Sequence, residues 1–303
     1  MIYTDFTVCK ANEEQRNYVL QRISKTDDFE CKNGIIYVAV SNDGKIIGRI
    51  IALERDVPEP IKGKRWYIDN IFVDADYRRK GIATALVDEI IREATSLDVV
   101  YLYGSANPSK EATMFWMNQG FTLNAYGRKQ EDESNPLFLG NYYHMISYCL
   151  RRKKINKRSF DENIRELTQS EVLNIINEYV ENEKKRNAYL SKANEIYGYG
   201  AIGNDGEIKG FILSFVDSMQ PPLENKRRFI FPYVKPKHRK QGIGTALVYK
   251  MYEYARSENT MQLTAFDDND SNIGFYHKIG FDIFFWDINR QTGKRATTAM
   301  LRV

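Results

Sequence analysis

Two seven-residue stretches bring backbone freedom, positive charge and hydroxyls together: Arg78-Arg79-Lys80-Gly81-Ile82-Ala83-Thr84 and Arg239-Lys240-Gln241-Gly242-Ile243-Gly244-Thr245. Each lies between a hydrophobic run ending in valine, at Val73 or Val234, and an amphipathic run that reads as a helix. A strand–turn–helix junction aims unpaired backbone N–H groups and the positive end of the helix at one spot. Glycine at 81 and 242 permits positive φ and close approach of a ligand, and Thr84 and Thr245 add hydroxyl donors in the first helical turn. Such a loop favours the gripping of a phosphate or diphosphate. A plain turn with solvated basic side chains is an even alternative for one such loop, and a weak one for two in matching context. Metal chemistry has no comparable support. His144, His238 and His277 are scattered, Cys9, Cys31 and Cys149 are widely spaced, and no cluster has ligand spacing, so no structural metal is expected.

The elements around these loops occur twice. Tyr77 to Ile90 (YRRKGIATALVDEI) recurs as His238 to Met251 (HRKQGIGTALVYKM), and MFWMNQGF, ending at Phe121, recurs as GFYHKIGF, ending at Phe281. Val73 to Val234 and Gly81 to Gly242 are each 161 residues apart, and Gly120 to Gly280 is 160. Landmarks that keep one spacing to within a residue mark a tandem duplication. In the first copy IIYVAV and KIIGRIIAL read as strands joined at Ser41-Asn42-Asp43-Gly44, and WYIDNIFV as a third strand. A helix from Thr84 to about Thr95, the strand VVYLYGS, a helix stopped by Gly120, the strand FTLNAYG and a closing strand over Tyr142 to Leu150 follow. The second copy repeats this order, with Pro232 expected at a bulge in its third strand. The fold class is therefore α+β, a sheet with helices on both faces in each copy. The expected domains are 1–150 and 160–303, joined by a basic linker over 151–159.

Composition narrows the function classes. The formal charge is +4, but RRKKINKR (Arg151 to Arg158) carries six positive charges, so the rest of the chain sums to −2. That local excess disfavours a general nucleic-acid binder, and leaves a contact through the basic run as a minor alternative. Three cysteines exclude a disulfide framework and fit a reducing, cytoplasmic setting. No apolar run approaches the ~20 residues that span a bilayer, so no membrane partner is expected.

The pattern V-x4-R-x-x-G-x-[GA]-x-A-L, followed by a helix ending F-[YW]-x3-G-F, resembles the GNAT superfamily of N-acetyltransferases, once per half and over nearly the whole chain. The resemblance implies two tandem domains, each a mixed, mostly antiparallel central sheet with splayed middle strands. It implies acetyl-CoA as cofactor and a primary amine of a small molecule or peptide as acceptor. The diphosphate of coenzyme A would sit on the glycine loop. The pantetheine would pair with Ile71, Phe72 and Val73, or with Tyr233 and Val234. Asn107 and Asn269 stand at a further cofactor-contacting position. Acetyl transfer needs a base for the amine and a proton for the departing thiolate. Asp69 stands where many members carry a catalytic or substrate-binding glutamate, and alternation places it on the face of Ile71 and Val73. The usual donor tyrosine is Trp116 in the first copy and Tyr276 in the second, whose acid position is Ile230. Asp69 and Tyr276 are thus the catalytic candidates, in different halves. Asp69 and the long insert Gly127 to Asn141 tilt the reading toward a catalytic first half, while Tyr276 and Gly244 favour the second. A non-catalytic acyl-CoA-binding module is the rival reading.

Overall fold

The computed structural model describes residues 5–23, 31–106, 109–125, 144–150, 155, 163–218, 226–267, 270–288 and 295–303. The insert at 127–141, Asn107, Asn269 and, apart from Ile155, the expected linker all lie outside the described residues. The chain divides into two compact units, Met1–Arg151 and Arg152–Val303.

In the first unit the order is β1 (Phe6–Lys10), α1 (Glu13–Leu20), β2 (Ile35–Ser41), β3 (Ile46–Asp56), β4 (Lys64–Val73), α2 (Ile82–Ser96), β5 (Val99–Ala106), α3 (Lys110–Asn118), β6 (Thr122–Ala125) and β7 (His144–Cys149). The second unit runs β8 (Asn163–Glu166), α4 (Gln169–Tyr179), α5 (Glu183–Leu190), β9 (Tyr197–Ile202), β10 (Ile208–Ser218), β11 (Lys226–Val234), α6 (Ile243–Ser257), β12 (Gln262–Asp267), α7 (Asp270–Lys278), β13 (Asp282–Ile288) and β14 (Arg295–Arg302). The sheets follow one plan: β1-β2-β3-β4-β5-β7-β6 matches β8-β9-β10-β11-β12-β14-β13. Among the described residues only β4–β5 and β11–β12 pair in parallel, and each of these pairs is bridged by a helix. The expected mixed, mostly antiparallel architecture is present in both units.

Helices cover both faces. Gly48 of β3 faces α2, since a Cβ there would meet the Ile82 and Leu86 side chains at 2.9 and 3.3 Å. The opposite face carries a core of Val19 from α1 with Cys31, Ile36, Val38, Ile51 and Leu53. The α2 core stripe, Ile82, Ala85, Leu86, Val87, Ile90 and Ala94, recurs in α6 as Ile243, Ala246, Leu247, Val248, Met251 and Ala255. Both helices begin two residues before the threonine expected to start them, because Gly81 and Gly242 are their N-caps.

The sequence reading leaves β1, α1, β8, α4 and α5 unassigned. In α1 only Val19 is buried, so its hydrophobic period is faint. The signals it does carry are capping boxes, Asn12 with Gln15 for α1 and Thr168 with Glu171 for α4.

Candidate active site

The two loops share one backbone. After short 3-10 turns at Ala75–Tyr77 and Pro236–His238, Arg78 and Arg239 are extended, at φ −66 and −71. Arg79 and Lys240 then take φ of 61 and 63, and Gly81 and Gly242 take φ of 82 and 89. Left-handed φ at an arginine and a lysine is uncommon and costs energy, so its repetition marks a conformation that the surroundings hold. Neither N-cap glycine offers a side-chain acceptor, and the first intrahelical bonds are Ala85 N–H to Gly81 and Ala246 N–H to Gly242. The amides of Ile82, Ala83 and Thr84, and of Ile243, Gly244 and Thr245, precede that ladder and are directed out of the helix start. Ile82 and Ile243 are 2% and 1% exposed, so only their main chain can meet a ligand. Thr84 Oγ1 accepts from Gln119 Nε2 at 3.1 Å, which fixes the hydroxyl. Arg78 and Arg239 donate Nε to the carbonyls of Val73 and Val234 at 3.1 and 3.0 Å, tying each loop to its strand end. Lys80 lies over the Tyr77 ring, and Arg79, Lys240 and Gln241 are exposed.

Beside each loop the sheet opens. The β4–β5 pairing runs from Lys64↔Val99 to Ile68↔Gly104 and goes no further among the described residues. The β11–β12 pairing ends at Phe229↔Thr264. Thus Asp69–Val73 and Ile230–Val234 border a gap. Asp74 and Lys235 donate their N–H groups toward the neighbouring strand, to Ile47 and Lys209, both at 2.9 Å. Backbone direction alternates along a strand, so Ile71 and Val73 point their N–H groups into the first gap. In the second gap the same positions are Pro232 and Val234, and proline has no N–H to give. The bulge expected at Pro232 is absent: β10 pairs with β11 in unbroken register from Gly210↔Val234 to Ser218↔Lys226. Pro232 fits a regular strand because its donorless edge faces the gap.

The bulge lies in the first unit instead. Ile51 pairs with Asn70 and Ala52 with Ile68, leaving Asp69 as the extra residue. Ile230 therefore matches Ile68, since Ser214↔Ile230 continues directly to Leu213↔Phe231, and the second unit has no counterpart of Asp69. The bulge also overturns the face assignment. Cys31 Sγ donates to Asp69 Oδ2 at 3.5 Å, and buried Cys31 belongs to the α1-side core, against which Tyr67 packs. Asp69 thus faces the α1 side, whereas Ile71 and Val73 lie opposite Ile50 and Gly48 on the α2 side. Phe72, opposite Arg49, also faces the α1 side and offers the gap no side chain. Sequence reasoning missed Cys31, and it missed Tyr67 and Tyr103, whose rings lie 5.2 Å apart next to the last β4–β5 pair.

Tyr276 is 3% exposed and packs on Phe281 at 5.1 Å, as Trp116 packs on Phe121 at 4.9 Å. The two residues fill equivalent core positions, and Asp69 and Tyr276 belong to different units.

On the α1 side the halves diverge further. A cavity of about 270 Å³ opens between α1 and the ends of β3 and β4, lined by Tyr18, Arg22, Ile46, Arg49, Phe72 and Asp74 among others. The second unit places Phe211 opposite Tyr233 where the first has Arg49 opposite Phe72. Tyr179 closes over both rings at 5.1 and 4.7 Å, filling that position with aromatics.

Among solved structures, the chain is similar to an acetyltransferase of the GNAT family from Staphylococcus aureus Mu50, at 17% identity and a TM-score of 0.36 over 48% of this chain and 99% of that one. It is similar to Arabidopsis thaliana Naa50 in complex with the bisubstrate analogue CoA-Ac-MVNAL, at 15% identity and a TM-score of 0.38 over 48% and 99%. The ribosomal-protein-alanine N-acetyltransferase from Brucella melitensis is similar at 20% identity and a TM-score of 0.37, over 46% and 99%. No curated protein matches the chain. The model of the acetyltransferase (GNAT) family matches twice, over residues 2–121 and 162–281, one match for each glycine loop and its opened sheet. The chain, an acyltransferase with two such domains in tandem, belongs to the acetyltransferase (GNAT) family.

Proposed function

We propose that the protein transfers an acetyl group from acetyl-CoA to a primary amine, and that the first unit carries the reaction. Its domains would be 1–150 and 160–303. The fit of the cofactor rests on the loop and the gap together: directed amides at Ile82, Ala83 and Thr84 suit a diphosphate, and the N–H groups of Ile71 and Val73 suit an extended amide chain. Acetyl-CoA, when bound, supplies the activated thioester. Everything else falls to residues of this chain. Arg79 and Lys80 add positive charge beside the loop. Gap-facing N–H groups stabilise an oxygen that gains charge. Asp69 Oδ1 or Oδ2 accepts a proton from the amine, directly or through one water, while Cys31 holds the carboxylate in place.

The observation that carries the assignment is the bulge. It gives the first half a carboxylate at the opening of the sheet, and the second half has no residue there. Pro232 and the Tyr179–Phe211–Tyr233 stack weigh the same way, and Tyr276 serves as a core ring.

The test titrates the protein with acetyl-CoA and then follows thiol release with a panel of primary amines. Saturable binding with amine-dependent release is expected. Absence of binding removes the reading, and binding without release for any amine replaces it with a non-catalytic acyl-CoA-binding module.

A further inference from the structure

The α1-side cavity of the first unit contains two guanidinium groups and one carboxylate. Asp74 already pairs with Lys45 at 3.2 Å. Arg22 lies over the Tyr18 ring at 3.5 Å and donates to the Tyr18 carbonyl. Arg49 lies over the Phe72 ring at 4.6 Å and donates Nε to Asn70 Oδ1 at 3.1 Å. Among the described residues neither arginine has a carboxylate within ion-pair distance. Burial lowers the Arg49 pKa, the nearby Asp74 carboxylate counters this in part, and the charge of Arg22 adds to the lowering. Two like charges converge on one cavity, one of them half-buried, with guanidinium N–H donors left over. Among the described residues the one carboxylate of the cavity, Asp74, is shared with Lys45, so positive charge outnumbers negative there and an anionic ligand fits.

The position relates this anion to the reaction. Asn70, which accepts the Arg49 Nε bond, directly follows Asp69 in β4, and Arg49, Asn70 and Asp69 share the α1-side face of the sheet. We infer that the acceptor is an amino-acid-sized primary amine bearing a carboxylate, held by Arg49 and Arg22 while its amine meets Asp69; this rests on the proposed acetyl transfer. Size agrees, since about 270 Å³ falls just below the ~300–1,000 Å³ of drug-sized pockets. The charge count also agrees. Asp74 on the wall opposes a dianionic phosphate more strongly than a singly charged carboxylate. Phe72 and Ile46 supply an apolar wall for the carbon skeleton.

The experiment uses the full chain, saturating acetyl-CoA and matched acceptor pairs: amino acids and dipeptides against their C-terminal amides. The acids are expected to exceed the amides in kcat/KM by about tenfold or more, the scale of a charged hydrogen bond. Arg49→Gln should abolish the preference by raising the KM of the acids while leaving acetyl-CoA affinity unchanged. Arg22→Gln, at an exposed position that carries little folding risk, should reduce the preference in the same way. Equal rates for acids and amides overturn the inference, as does a preference that survives both substitutions. Acetyl-CoA binding without turnover of any carboxylated amine also overturns it. Loss of acetyl-CoA binding itself would instead point to failure of the underlying reading.

Discussion

A carboxylate that takes a proton from an amine must stand where a strand is open to ligand, and Asp69 does so because β4 contains one residue more than β3 can pair. The bulge adjoins the point where β4 parts from β5, and the Cys31 thiol donates to the carboxylate at the edge of a packed core. Asp69→Asn keeps the shape and removes the proposed base, so turnover should fall by roughly 10²-fold with acetyl-CoA affinity unchanged, read by thiol release and calorimetry. Unchanged turnover would leave Asp69 a packing residue. The sequence made Asp69 visible as a candidate but misjudged its face, since strict alternation has no provision for an inserted residue. The needed signal was nonetheless present. Gly44 and Gly206 are 162 residues apart and Gly81 and Gly242 are 161, so the first copy holds one extra residue between its hairpin turn and its loop.

The strand–loop–helix units were the most legible elements, because glycine, basic residues and threonine recur there at fixed offsets. Their ion pairs were not legible, because the duplication exchanged the partners. Lys45 pairs with Asp74 in the first unit, and Glu207 pairs with Lys235 at the same corner of the second, at 3.2 and 3.1 Å. Glu207 also accepts from Lys237 at 2.8 Å, and hydrogen bonds from Lys237 and Lys235 hold its carboxyl down at about 2. A depressed folded-state pKa contributes stability above the unfolded value near 4.5 that is lost as pH falls toward 2. The side chain is partly open to solvent, so salt screens the effect. An NMR titration should place Glu207 near 2 at low ionic strength, and replacing Lys235 and Lys237 with methionine should return it to the ordinary range of ~4.3. An ordinary value in the unaltered protein would mean that the corner is not held by charge.

The duplication was legible as a spacing, yet the two units turn out to have kept different things. Both keep the loop conformation, the tie from arginine to strand end and the parted middle strands. Only the first keeps the extra carboxylate, and only the second fills the α1-side position with rings. A unit that retains its grip but, on the proposed assignment, does not carry the reaction should still bind cofactor, more weakly where a donor is missing. Calorimetry should therefore resolve two acetyl-CoA sites per chain, the weaker in the second unit, where Pro232 faces the gap without an N–H. One neutral hydrogen bond is worth ~1 kcal/mol, or roughly a fivefold change in affinity. Pro232→Ala restores the donor and should tighten the weaker site by about that factor, with no change in turnover under the proposed assignment of the reaction to the first unit. A single site, or two constants indifferent to the substitution, would show that something other than the strand's donors separates the halves.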